Sequence, residues 1–431
     1  MTASQKPLTN SEPDGFTSRT LQRQVPLVLL AATVFSLGFM KPSFGFAGSG
    51  ITPTDLLFPI LLLSFVVGIL TRSVRPVWSP SYLIFGVYAV AMIVSCFFSP
   101  EPRRSLAKFL GELYLIGLAV VTVNIVRDKM DLRVMILSWI GGSTIAIIIG
   151  LAAIALFYVD RQNSLLNLIT YHYGAVPVGN YPRISSTFVS ASMFCNYLNV
   201  SFFVLILADG KRWIRKWFFV TSIISLLVCA VFTISAGLGA YIVSVAFYLA
   251  RLVVLKTKIV SRAILVAGVL AAVAFTMLAF VELSPTAAGG STSFANFAPS
   301  PRVEIWKQAI DTISTSPFTG KGLGLPVVTV LYENSEGTTS LLTDAHNVFL
   351  NVGAQSGLFA AAAIFALCIF VLIPVFGPNG EVHLWLMAAF AASFIIQGLT
   401  GSFEDARHLW VLIGLIIAVG HFSREMPANA D

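Results

Sequence analysis

Apolar runs of spanning length, separated by polar turns, dominate this chain. An α-helix rising 1.5 Å per residue needs about 20 apolar residues to cross a bilayer. About twelve stretches meet that length: 26–46, 53–71, 80–99, 107–126, 134–158, 187–208, 217–235, 237–255, 262–282, 351–375, 383–400 and 407–422. Within hydrocarbon each segment must satisfy its own backbone polar groups, which leaves helices. The expected fold is therefore all-α: a polytopic integral membrane protein of about twelve transmembrane helices. The seventh and eighth stretches form one run broken only at Ser235-Ala236-Gly237-Leu238-Gly239. A single helix of that length overshoots the bilayer, so the glycines predict a tight hairpin.

Composition closes off other classes. Of 431 residues, 56% are hydrophobic and 11% charged, against about 25% charged in soluble proteins. Neither an ordinary soluble enzyme nor a disordered chain fits. Cys96, Cys195, Cys229 and Cys368 lie far apart in apolar runs and form no CxxC pair, so no disulfide framework or zinc site is expected. The net charge of +7 reflects Lys and Arg on cytoplasmic loops rather than nucleic-acid binding.

Lys and Arg concentrate on alternate loops, and the positive-inside rule then places both termini in the cytoplasm. The chain divides into a cytoplasmic disordered segment 1–25, transmembrane helices one to nine over 26–282, a large outer catalytic loop 283–350, helices ten to twelve over 351–422, and a cytoplasmic tail 423–431. Residues 1–25 lack an apolar h-region and a cleavage site, so the first helix is expected to be an uncleaved anchor.

The candidate chemistry lies outside. His346 stands in Thr343-Asp344-Ala345-His346-Asn347-Val348. Asp344 suits an N-cap, which puts His346 in the first turn of the tenth helix. The helix dipole there favours neutral imidazole, the form a general base needs. The alternative is a polar interfacial residue. Asn347, Asn351 and Gln355 follow at spacings of four and share a helix face. They form either a polar wall below His346 or helix–helix hydrogen bonds.

The stretch Ser300-Pro301-Arg302-Val303-Glu304-Ile305-Trp306 predicts a short amphipathic helix on the outer surface, with Val303, Trp306, Ile310 and Ile313 on its apolar face. Arg302 and the free N–H groups of the first turn would together draw an anion such as a diphosphate; a lipid headgroup or an outer carboxylate would serve equally. Arg183, in Tyr181-Pro182-Arg183-Ile184, and Arg103, Arg104 and Lys108 place further positive charge outside. They suit an anionic ligand or phospholipid headgroups. The cluster Glu404-Asp405-Ala406-Arg407-His408 reads as a solvated turn with internal ion pairs, or as a sugar-acceptor contact. Gly320-Lys321-Gly322-Leu323-Gly324 lacks P-loop spacing and reads as a flexible turn.

Taken in order, Arg302…Trp306…Ala309, Pro317-Phe318-Thr319-Gly320-Lys321-Gly322-Leu323-Gly324, and Ala345-His346-Asn347…Leu350…Gly353…Gly357 resemble the core of the O-antigen ligase and polymerase superfamily, best over 185–375. These are multispan glycosyltransferases acting on undecaprenyl-diphosphate-linked glycans at the periplasmic face. The resemblance implies a bacterial inner-membrane enzyme whose long periplasmic loop carries the short amphipathic helix. It makes His346 the base on the acceptor hydroxyl and Arg302 a ligand of the donor diphosphate, with Asn347 a further substrate-binding residue. The family often has an arginine after Thr-x-Ser; here Thr233-Ile234-Ser235 is followed by Ala236, and Arg183 is the candidate substitute. The implied partners are the bilayer, the lipid-linked donor, and an acceptor glycan such as lipid A core or a growing polysaccharide. No cofactor, metal or nucleic acid is expected, and the transfer is expected to invert. The competing class is a twelve-span secondary transporter, for which Glu112 is the main mid-depth charge. A non-catalytic scaffold has no positive feature.

Overall fold

A computed structural model describes residues 14–41, 44–46, 49–174, 181–233, 237–253, 258–282, 302–333, 339–377, 380–399, 401 and 406–425. The helices are α1 (Asp14–Ser36), α2 (Pro53–Leu70), α3 (Ser81–Phe98), α4 (Pro102–Ile125), α5 (Lys129–Val159), α6 (Leu166–Ile169), α7 (Ala191–Gly210), α8 (Lys216–Thr233), α9 (Gly237–Val253), α10 (Lys258–Glu282), α11 (Arg302–Thr315), α12 (Val348–Ser356), α13 (Leu358–Leu372), α14 (Glu381–Phe390) and α15 (Arg407–Glu425). Among the described residues seven segments are long and apolar enough to cross a membrane: α2, α3, α4, α5, α7, α8, and α13 with its 3₁₀ extension to Phe376. Shorter apolar helices occupy Gln24–Ser36, Gly237–Leu252, Ile259–Ala271, Glu381–Ile396 and Arg407–Phe422.

Local chemistry starts these helices where the sequence allows. Thr52 and Asp55 close a capping box on α2. The Asp128 carboxylate accepts from Met130 N and Asp131 N at the head of α5, and Ser190 Oγ accepts from Met193 N at the head of α7. Each satisfies backbone donors that the first turn leaves over. The apolar run around 235 divides as the glycines predicted, α8 ending at Thr233 and α9 starting at Gly237; the bend at 234–236 lies outside the described residues.

The centre of the bundle is α7, whose spanning window is 89% buried. Trp139 of α5 stacks on Tyr197 of α7 at 5.5 Å, and Phe188 packs on the same ring. Around this core α4 packs on α15, α1 on α2 and α5, and α13 on α3. Gly142 lets α5 approach α1 closely: a Cβ there would lie 2.2 Å from the Phe35 carbonyl oxygen.

Loop contacts sort into two sets. At one end, Met40 N and Lys41 N donate to Thr187 O, Lys41 Nζ donates to Leu168 O, Arg183 Nε donates to Thr233 O, and Asp55 pairs with Arg407. At the other end, the Arg127 guanidinium donates to Arg75 O and Arg251 pairs with Glu381. Each of these contacts joins helix ends or loops that the predicted alternation puts on one side.

Three expectations are corrected. Helix α1 begins at Asp14, inside the segment expected to be disordered, and runs through Pro26. A proline removes one backbone donor but does not end a helix whose neighbours favour it. The same helix stops at Ser36 rather than 46, and Phe44–Phe46 pairs with Ser49–Ile51 as a hairpin, β1–β2. The tenth stretch is two helices, α12 and α13, broken at Gly357, whose φ is +83°. Hydropathy does not register such a break. Two further hairpins, β3–β4 (Thr170–Gly174 with Tyr181–Ile184) and β5–β6 (Val330–Glu333 with Thr339–Leu342), lie in loops where no strand was expected.

Candidate active site

Helix α11 and the chain around it form a small second core. Ile305, Trp306 and Ala309 of α11 pack with Val327, Val328, Ala345 and Ala354. Of the predicted face, Val303 and Trp306 are buried and Ile313 packs against this core, while Ile310 is 44% exposed and Ile305 and Ala309 point in instead. Ser300 and Pro301, the predicted cap, lie outside the described residues. Arg302 is the first residue of α11, one turn before Trp306. Trp306 Nε1 donates to Ala345 O at 3.1 Å. The helix that begins at Arg302 is thereby fastened to the residue preceding His346.

His346 is not in a helix. Asn347, rather than Asp344, is the N-cap of α12: its Oδ1 accepts from Phe349 N and Leu350 N. Both residue types cap well, and tertiary contact decides between them. Asn347 Nδ2 donates to Leu399 O, 52 residues away, which fixes it at the helix start. His346 consequently sits before the helix with φ +48°, an uncommon backbone for a side chain of its size. The tight turn folds its imidazole back on Asp344: Nδ1 lies 2.5 Å from Oδ1, and His346 N donates to the same oxygen at 2.6 Å. Both side chains are 41% exposed. The sequence carried the pair in plain sight, two residues apart, but the Asp was read as a cap.

The three amides of α12 hold backbone. Besides Asn347, Asn351 Oδ1 accepts from Ala345 N at 3.3 Å, and Gln355 Oε1 accepts from Gly324 N at 3.0 Å. Asn347 and Asn351 are buried. Of the two roles weighed, hydrogen bonding describes all three, to loops rather than to helices.

The glycine turn is fixed rather than flexible. Lys321 N and Gly322 N donate to Ala354 O and Gln355 O, satisfying carbonyls at the C-terminus of α12. Gly320 has φ +66°, and a Cβ on it would lie 2.3 Å from the Gln355 carbonyl. Its amides face a helix end and not a phosphate, as the missing P-loop spacing implied.

Arg183 lies in β4, on another element, with Nε donating to Thr233 O at 3.1 Å. Thr233 opens the Thr-Ile-Ser run; residues 234–236 lie outside the described residues. The far side of that bend starts at Gly237, packed against the Gln397 side chain. Residues 397–399 then lead to Leu399 O and Asn347.

Two of the other outer charges are engaged. Arg104 pairs with Glu101 at 3.7 Å, and Lys108 with the buried Glu112 at 3.1 Å. The expected solvated turn at 404–408 is overturned where it is described. Arg407 makes two 2.7 Å bonds to Asp55, and His408 is buried with Nε2 2.5 Å from Asn196 Oδ1. Glu404 and Asp405 lie outside the described residues. Among the described residues no group of three His, Cys, Asp or Glu side chains is arranged to hold a metal.

Residues 222–365 match the O-antigen ligase family. The O-antigen ligase segment takes in most of α8, all of α9 to α12, and the start of α13. It contains Arg302, the Asp344–His346 pair and Asn347; Arg183 and Arg407 lie beyond its ends. No curated protein matches the chain. The apolar helices make this a membrane protein, and over about a third of its length it is similar to the O-antigen ligases.

Proposed function

We propose that the protein transfers an undecaprenyl-diphosphate-linked glycan to an acceptor hydroxyl at the periplasmic face of the bacterial inner membrane. The observation that carries this is the Trp306–Ala345 bond, which brings the helix headed by Arg302 onto the turn bearing His346. Twelve crossings with both termini cytoplasmic fit the sorting of loop contacts into two sets, and they put His346, Arg302 and Arg183 on the periplasmic side.

His346 Nε2 takes the proton of the acceptor hydroxyl. The acceptor oxygen bonds to the anomeric carbon as the bond to the diphosphate oxygen breaks. The electron pair leaves with the lipid diphosphate, whose charge Arg302 and Arg183 hold. Attack from the face opposite the leaving group inverts the anomeric centre. The diphosphate is already an activated leaving group, so the step uses neither nucleotide nor cofactor. Asn347 positions the base by fixing the helix start behind it. The acceptor is lipid A core for a ligase and a growing chain for an O-antigen or exopolysaccharide polymerase.

The test is His346→Ala, assayed as purified protein with lipid-linked glycan and acceptor. Removal of a general base costs about 10²–10⁴-fold in rate; wild-type turnover by correctly inserted protein rejects the reading. The glycan of a deletion strain separates the two products. Full-length chains left on the carrier lipid indicate a ligase, and accumulated single repeat units a polymerase.

A further inference from the structure

We propose that Asp344 is a positioning residue for the transfer: it holds the imidazole of His346 in the tautomer whose Nε2 lone pair faces the acceptor. The inference rests on His346 being the base. Its own support is the geometry of the turn.

A neutral imidazole has one N–H and one lone pair, and the partner of one nitrogen decides what the other carries. A carboxylate only accepts. With Asp344 Oδ1 2.5 Å from Nδ1, the proton resides on Nδ1 and the lone pair on Nε2. The same oxygen also accepts from His346 N at 2.6 Å. Backbone and ring are thus fastened to one atom, which fixes the ring's direction as well as its proton. The turn that permits this has φ +48° at His346, a conformation held from outside by the Asn347 cap, its bond to Leu399 O, and the Trp306 bond to Ala345 O. Such strained backbone persists where surroundings enforce it. The Asp344 carbonyl, 3.3 Å from Nδ1, is a weaker second acceptor.

As the acceptor proton moves to Nε2, both ring nitrogens carry protons and the ring becomes positive beside the carboxylate. The negative charge stabilises that form. Asp344 touches neither substrate nor reacting atoms; it works through the ring.

At 41% exposure the pair adds little to folding, so stability and chemistry separate cleanly in a test. Asp344→Ala and Asp344→Glu are compared with wild type as full-length protein in lipid. Turnover is read at saturating donor and acceptor, and ¹⁵N-histidine spectra report the ring, with the His346 signals assigned by their loss in His346→Ala. The expected result for Asp344→Ala is unchanged melting, kcat down about 10²-fold, little change in donor KM, and ring signals shifted toward the Nε2–H tautomer. Asp344→Glu restores the Nδ1–H signature and part of kcat. Wild-type kcat with an unmoved ring spectrum in Asp344→Ala overturns the proposal. So does a lost kcat with an unmoved spectrum, which reduces Asp344 to a loop residue. Activity in His346→Ala instead defeats the reading of the base itself, and is scored separately.

Discussion

Trp306 and Ala345, 39 positions apart, are joined by an indole-to-carbonyl hydrogen bond of 3.1 Å in a site where Ala345 is fully buried. The bond aligns two segments whose chemistry differs: a helix headed by an arginine, and a turn presenting a histidine. Trp306→Phe keeps most of the apolar volume and removes the donor. An orphaned buried carbonyl costs about 1–3 kcal/mol. A displacement of about 1 Å at a catalytic group lowers rate by as much as 10²-fold. We expect Trp306→Phe to insert normally and lose about 10–10²-fold in kcat; unchanged kcat means the two segments are aligned by other contacts.

Arg302→Lys tests the donor side. Lysine keeps the charge but loses the planar fork that meets two phosphate oxygens at once. Donor use should fall strongly, seen in kcat/KM for the lipid-linked glycan, while insertion stays normal. A wild-type value would make position 302 a helix-start residue only.

Arg183 bonds the carbonyl of Thr233, three residues before Ala236. Replacing Arg183 with Ala removes a charge-assisted contact, typically worth about 1.5–3 kcal/mol, so kcat/KM for the donor should drop about 10–10²-fold. The decisive arm adds Ala236→Arg in the Arg183→Ala background. If Arg183 supplies the arginine that the O-antigen ligases often carry after Thr-x-Ser, the second substitution restores donor use. Failure of rescue alongside a lowered melting temperature makes Arg183 a structural staple.

How far the sequence disclosed this arrangement depends on the range of the forces involved. Spanning helices were legible because hydropathy is local: α2, α3, α4, α5, α7 and α8 coincide closely with predicted runs, and the glycines at 237 and 239 marked the division of α8 from α9. His346 and Arg302 were legible as residue types in a spaced motif. The turn at His346 was not, because Asp344 and Asn347 are equal candidates for the cap and a bond to Leu399 selects one. Nor was the break at Gly357, since the run from 351 to 375 is apolar enough on average to pass as one span despite Asn351, Gln355 and Ser356. The Arg407 partner was hidden by distance, Asp55 being 352 positions away.

That pair gives a stability prediction. Arg407 and Asp55 make a two-bond fork with 21% exposure on each side. Such a pair resists loss of one member because the other is left half-buried and uncompensated. Asp55→Asn and Arg407→Gln should each lower thermal stability in detergent, while the double variant loses less than the sum. A coupling of about 1–3 kcal/mol is expected for charges in contact. Strict additivity would show that the fork contributes nothing beyond packing.

The glycine turn supplies the sharpest steric test. Gly320 combines a φ of +66° with a site where a Cβ would stand 2.3 Å from the Gln355 carbonyl oxygen. Neither problem is relieved by a rotamer change, since the obstructing atoms are backbone. Gly320→Ala must therefore push the turn off the C-terminal end of α12. That releases the bonds from Lys321 N and Gly322 N to Ala354 O and Gln355 O. Because α12 begins at Asn347, its displacement reaches the His346 turn. Activity should fall by at least about 10²-fold, and protease sensitivity around 316–326 should rise while the spanning helices remain inserted. Gly111→Ala is the matched control: it is a helical glycine with nothing within 4 Å of its added Cβ, and should keep full activity. If Gly320→Ala behaves like that control, the turn is the pliable connector its composition first suggested, and α12 is held by other means.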